Sequence, residues 1–307
     1  MMKLFSRLPR AFAEGWLSAM DGHEIFYHQF GNPNGVPVVS FHGGPGSRSS
    51  AKYADRWFNL KTHRVILFDQ RGCGRTRSVD PIRNNTPDAA IDDAMRILNA
   101  CGIAGKIISA GASYGSTLAL LFAEKFPARV RQICVGSIFL ARKRDVQDWM
   151  EHDARRFWPD MLEEMDRVAK GRPLTKYFAG LLFSGKRADE RIALKYYGNL
   201  EDNVGSLTPG FALPPPEDYE RALRSFKVSM HFISNGFFMT DGRVLKDAKK
   251  IAKIPAIIAH NRLDLCCPFE QAWSLHKALP KSALHIVPDI GHGGEKLNAA
   301  VKKAMGE

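Results

Sequence analysis

The chain has 307 residues, 45% of them hydrophobic and 25% charged, which is enough to bury one extensive core or two modest ones. Its 44 Lys and Arg against 32 Asp and Glu leave a formal charge of +12, yet basic clusters such as ARKRD (141–145) are mixed with acids and carry no stacking motif, so nucleic acid is not an expected partner. No apolar run reads as a signal-peptide core or a membrane span, so no membrane partner is expected and the cytoplasm is the default setting; the five scattered cysteines form neither a disulfide framework nor a zinc spacing and are expected as free thiols.

From about Gly22 to Ile138 short apolar runs alternate with longer amphipathic segments, the pattern of an α/β protein with a mostly parallel sheet. VPVVSF (36–41) and HRVILFD (63–69) read as buried strands. DAAIDDAMRILNACGI (88–103) carries apolar residues at helical spacing, and GKIISA (105–110) reads as the next strand. Between 139 and 236 the texture changes to tryptophans, charges and a proline-rich break, LTPGFALPPPEDYE (207–220), and most of this stretch looks helical. Afterwards KIPAIIAHNRLD (253–264) and SALHIVPDIGH (282–292) restore the strand pattern around the helical PFEQAWSLHKAL (268–279). The expected organisation is a core made of 1–138 and 237–307, with a helical cap, 139–236, inserted in it.

The junction after GKIISA holds Gly111, Ala112, Ser113, Tyr114 and Gly115, a G-x-S-x-G turn between a strand and a helix. Such a turn lifts a serine hydroxyl clear of the sheet, and its flanking glycines relieve crowding. The helix that follows offers backbone N–H groups and a positive dipole end to a developing anion, which makes the Tyr114 N–H a candidate oxyanion donor. A second donor is expected after an early strand, where VVSFHGGPG (38–46) places Gly43 and Gly44; His42 is expected to order that loop.

A serine hydroxyl needs a base to take its proton and a third group to fix the base's tautomer. Both are expected downstream, on loops after late strands, in the order acid and then histidine. Asp264 and His292 occupy such positions, with Asp289 a competing acid. His260 lies ahead of the acid, and His231 lies in the cap, where packing or surface duty is the expectation. Nothing in the sequence calls for a metal or organic cofactor.

HGGPG (42–46), FDQRGCGRT (68–76) and GASYGSTLAL (111–120) together resemble the prolyl iminopeptidases, and the similarity extends over nearly the whole chain. The resemblance implies an α/β-hydrolase fold with a helical cap, and removal of an N-terminal proline from small peptide or aminoacyl substrates without a cofactor. It also implies Ser113, Asp264 and His292 as the catalytic set, which favours Asp264 over Asp289. Asp69 and Arg71 would then shape the wall behind the site without chemistry, and Cys267 would match the family's Cys-Pro position beside the acid, placing a thiol near the substrate.

A free N-terminal amine needs a negative group at the cap, because an unpaired cation in a closed pocket is costly. The family places two glutamates there. The first corresponds to Glu201 in YGNLE (197–201); the second, aligned on His231, falls at Ser229, which brings no charge. Glu151, where a tyrosine is expected two residues after Trp149, is a candidate replacement. The pocket aromatics correspond to Phe139 and Phe237. Two other readings are an esterase or arylamidase with the same three residues and a cap not selective for proline, and a ligand receptor on a hydrolase scaffold.

Overall fold

A computed structural model describes residues 8–19, 21–149, 152–206 and 210–306. Among them, nine strands form one sheet: β1 (Ala13–Ser18), β2 (His23–Gly31), β3 (Val36–Phe41), β4 (His63–Phe68), β5 (Arg77–Ser78), β6 (Ile107–Ser113), β7 (Val130–Ile138), β8 (Ala256–Leu263) and β9 (Ser282–Ile290). The order is β1-β2-β4-β3-β6-β7-β8-β9, with β5 beside β2. β1, β2 and β4 pair antiparallel, and every pair from β4 to β9 is parallel.

The central strands are buried on both faces, which explains why they read as continuous apolar runs. β1 lies ahead of the stretch, beginning near Gly22, in which the sequence pattern predicts strands. Its residues are half-buried and exposed in turn, and as an edge strand it carries no apolar run to betray it.

Helix α1 (Pro87–Ala100) starts at Thr86, whose hydroxyl accepts from the Ala89 N–H at 3.2 Å, with Pro87 pre-set for the first turn. It lays Ile91, Ala94, Ile97 and Leu98 into the larger core on one side of the sheet. Helix α2 (Tyr114–Lys125) is buried nearly all round, as a helix packed on the sheet beneath other helices must be. On the opposite face, Trp57 and Phe58 pack with Val38, Val65, Ile108, Leu297 and Val301.

Between β7 and β8 the chain runs through α3 (Pro159–Ala169), α4 (Leu174–Leu182), α5 (Arg187–Ala193), α6 (Asn199–Ser206), α7 (Tyr219–Ser234) and α8 (Arg243–Asp247). Helix α7 docks this segment on the core loops: Ser225 Oγ donates to Gly46 O at 2.7 Å, and Arg224 donates to Gly72 O and Thr76 O, both at 3.0 Å. The last helices, α9 (Glu270–Ala278) and α10 (Glu295–Ala304), flank β8 and β9. Among the described residues no helix is long and apolar enough to cross a membrane.

Register decides where the functional candidates meet. Phe41 pairs with Gly111, and Leu263 with Ile290. The chains that leave β3 at His42 and β6 at Ser113 therefore emerge side by side at the carboxyl ends of parallel strands, and so do those that leave β8 at Asp264 and β9 at Gly291. That is the end of an open α/β sheet where ligands bind.

Candidate active site

Ser113 ends β6 with φ 57° and ψ −134°, a backbone conformation that a side-chain-bearing residue adopts only when its surroundings impose it. The surroundings are two close approaches. A Cβ on Gly111 would stand 2.1 Å from Gly115 O, and one on Gly115 would stand 2.2 Å from Phe41 O. Only glycine allows strand, turn and helix to pack this tightly, so the G-x-S-x-G spacing is a packing requirement before it is a chemical one. Ser116 Oγ caps the turn by donating to Ser113 O at 2.6 Å.

The HGG loop stands directly against the serine: a Cβ on Gly43 would lie 3.1 Å from Ser113 Cβ. Gly44 has φ 114°, which keeps the following turn open only to glycine. His42 holds this loop. Its Nε2 accepts from the Gln70 N–H at 3.1 Å, so Nδ1 carries the proton and donates to Gly43 O at 2.9 Å, while Gln70 Nε2 donates to His42 O at 2.8 Å. Burial pulls the His42 pKa down, in keeping with a neutral ring. The Tyr114 side chain is wholly buried against Phe232 and Phe237, which leaves its backbone N–H, at the first position of α2, as the group available to an anion.

Asp264 and His292 meet. His292 Nδ1 lies 2.8 Å from Asp264 Oδ2, and Asp264 Oδ1 accepts the backbone N–H groups of Cys266 at 3.0 Å and Cys267 at 2.9 Å. The carboxylate is buried and oriented, so it holds Nδ1 as a proton-bearing nitrogen and leaves His292 Nε2 without a hydrogen-bond partner among the described residues. Asn261 supports the His292 loop by donating to Gly291 O at 2.9 Å and Gly293 O at 2.6 Å. Asp289 pairs with Lys296 at 3.1 Å instead. His260 is buried and committed: Nδ1 accepts from the Ile138 N–H at 2.9 Å, and Nε2 donates to Cys267 O at 2.8 Å. His231 Nε2 donates to Asn85 O at 3.1 Å. Asp69 accepts from Ser49 and from the Arg75 N–H, and Arg71 pairs with Asp93 and Asp21; all of these bonds brace loops.

The electrostatics around His292 come from an unexpected neighbour. Burial pushes its pKa down, but the Cys266 thiolate and the Asp264 carboxylate outweigh this and carry it up to about 9. Cys266 is drawn down to about 7 by a hydrogen bond from Cys267, against the effect of burial and with help from His292. Sequence reasoning singles out Cys267 and passes over Cys266, although the CC pair beside the acid is an available signal. The ligand atoms of Cys266, Cys267 and His292 lie within 4.8 Å of one another, so these residues could hold a thiophilic metal, which would then occupy the imidazole. All five cysteines are free thiols.

Ser113, His292, Gly43 and Gly44 line one cavity of about 280 Å³. Tyr53, Arg56 and Trp57 line it as well, and no motif announces them. Phe139 and Phe237 lie elsewhere, stacked edge to face at 5.1 Å and joined through Phe237 to Tyr114 at 5.6 Å, behind the serine turn. Ser229 is buried on α7. The backbone of Glu201 belongs to α6, and its side chain lies outside the described residues, as does Glu151.

Residues 36–294 match the model of the alpha/beta hydrolase fold family. A proline iminopeptidase of Xylella fastidiosa (strain Temecula1 / ATCC 700964) is 34% identical over 288 residues, covering 92% of this chain and 91% of that protein. One from Xanthomonas citri is 33% identical over 303 residues, covering 96% of each chain. Among solved structures, a proline iminopeptidase-related protein from Thermus thermophilus superposes with a TM-score of 0.61 at 20% identity, covering 96% of this chain and 97% of that one. An esterase from Rhodococcus sp. ECU1013 gives a TM-score of 0.58 at 18% identity, covering 95% of this chain and 97% of that one, and both likenesses speak to the fold alone.

Proposed function

This chain belongs to the proline iminopeptidase family of α/β-hydrolase enzymes, and from that premise we propose that it releases an N-terminal proline from peptides through a seryl acyl-enzyme. The observation that carries the reading is the 2.8 Å contact between His292 Nδ1 and Asp264 Oδ2, which leaves Nε2 free on a ring that lines the same cavity as Ser113.

In this reading Ser113 Oγ attacks the prolyl carbonyl as its proton passes to His292 Nε2. The tetrahedral oxyanion is held by backbone N–H groups of the Gly43–Gly44 loop and of Tyr114. The imidazolium, stabilised by Asp264, returns the proton to the leaving amine, and the bond between the proline and the rest of the peptide breaks. Water then attacks the acyl-enzyme with His292 as base, releasing free proline. The helical segment 139–236 serves as the cap, with Glu201 and Glu151 as candidate partners of the substrate amine and Cys267 close to the pocket, while Phe139 and Phe237 back the serine turn. The five free thiols suit a cytoplasmic setting.

A panel of L-proline p-nitroanilide, alanine p-nitroanilide and p-nitrophenyl butyrate tests the proposal. Preference for the prolyl amide supports it. Ester cleavage without proline release would favour the second reading, an esterase or arylamidase, which draws on Ser229 standing where a charged residue is expected.

A further inference from the structure

The cavity that contains Ser113 carries a cation with no counterion among the described residues. Arg56 lines it and makes no ion pair and no hydrogen bond among the described residues. Its guanidinium is held by stacking instead, with Cζ 5.1 Å from the ring centroid of Tyr53 and 4.7 Å from that of Trp57. Trp57 is itself fixed, because Nε1 donates to Asn298 Oδ1 at 3.0 Å. No aspartate or glutamate among the described residues lines the cavity.

An arginine stays protonated even when desolvation works against it, so a sheltered guanidinium without an acid is costly unless a ligand completes it. Stacking on two rings leaves its N–H fork unused, and that fork matches a carboxylate. The charge also says which side of the scissile bond it serves. The proline side of an aminopeptidase substrate is cationic and would be repelled by Arg56. The departing side becomes anionic at its carboxyl terminus, and in a dipeptide that terminus lies one residue from the reacting carbonyl. Each further residue moves it away by up to about 3.5 Å in an extended chain.

We propose that Arg56 binds the free carboxylate of short peptides, so that dipeptides with N-terminal proline are the substrate class this site is built for. The inference rests on the prolyl aminopeptidase reading and adds the leaving-group side to it.

The test compares prolyl-alanine with prolyl-alanine amide, in wild type and in Arg56→Gln, with L-proline p-nitroanilide as a substrate that has no carboxylate. Wild type should favour the free acid in kcat/KM by about tenfold or more, chiefly through KM. In Arg56→Gln the acid-to-amide ratio should fall towards one. This ratio is unaffected by partial loss of folded enzyme, and Arg56→Lys, which keeps the charge without the fork, should give an intermediate ratio. Equal wild-type rates on acid and amide, or a preference that survives Arg56→Gln, would overturn the proposal while leaving the functional reading intact if the anilide is cleaved. If wild type cleaves neither the anilide nor the dipeptide, the functional reading fails and this inference fails with it.

Discussion

His292 and Cys266 bring an imidazole and a thiol together, and the thiolate is the strongest of the influences that raise the imidazole pKa. A protonated His292 cannot accept the Ser113 proton, so Cys266 should act as a brake at neutral pH. Cys266→Ser removes the anion without removing Asp264. We expect the acid limb of the kcat/KM profile to move to lower pH and activity at pH 7 to rise. An unmoved acid limb would show that Cys266 does not govern the base.

The same thiols give a metal prediction. Hydrolysis by a serine and an imidazole requires no Lewis acid, so full activity is expected in EDTA. A thiophilic cation bound across Cys266, Cys267 and His292 should inhibit, with relief by the chelator. Loss of activity in EDTA that zinc restores would contradict this account.

Two glycines near Ser113 should fail differently. At Gly111 an added methyl meets backbone, so Gly111→Ala should lower the melting temperature along with activity. At Gly43 the methyl meets Ser113 Cβ at 3.1 Å and Ala112 O at 3.2 Å, contacts that a displacement of the serine turn by a few tenths of an ångström relieves. Gly43→Ala should therefore fold and lose about a hundredfold in kcat. Equal melting temperatures for the two variants would contradict the distinction.

Far from the site, Glu124 on α2 is buried with neither carboxylate oxygen hydrogen-bonded among the described residues, and burial lifts its pKa to about 8. A raised acid pKa stabilises the fold while the group is protonated: the contribution is full below the ordinary value near 4.5 and is lost as pH rises through about 8. Glu124→Gln should raise the melting temperature at pH 9 and change it little at pH 4. A variant that melts in parallel with wild type at both values would show that the buried charge carries no such cost.

The sheet was legible because its central strands are buried on both faces, and VPVVSF and HRVILFD match β3 and β4 closely. β1 was not, because an edge strand needs only half of its surface covered. At the site, Ser113 could be placed from its glycines, whose close approaches the structure now shows, while position along the chain favoured Asp264 without removing Asp289 as a competitor. The structure pairs Asp264 with His292 and Asp289 with Lys296. Arg56, Tyr53 and Trp57 reach the cavity from a loop with no motif, and Cys266 matters only because tertiary packing brings its thiol to the imidazole. Neither kind of proximity leaves a periodic or compositional trace.

Attack of Ser113 on a prolyl carbonyl is the step on which the proposed function turns. Its most direct measurement is the hydrolysis of L-proline p-nitroanilide by wild type and by Ser113→Ala at matched melting temperature. Turnover in wild type should exceed that on alanine p-nitroanilide, with a loss of about 10⁴-fold or more in the variant. Prolyl turnover that persists in Ser113→Ala would contradict it.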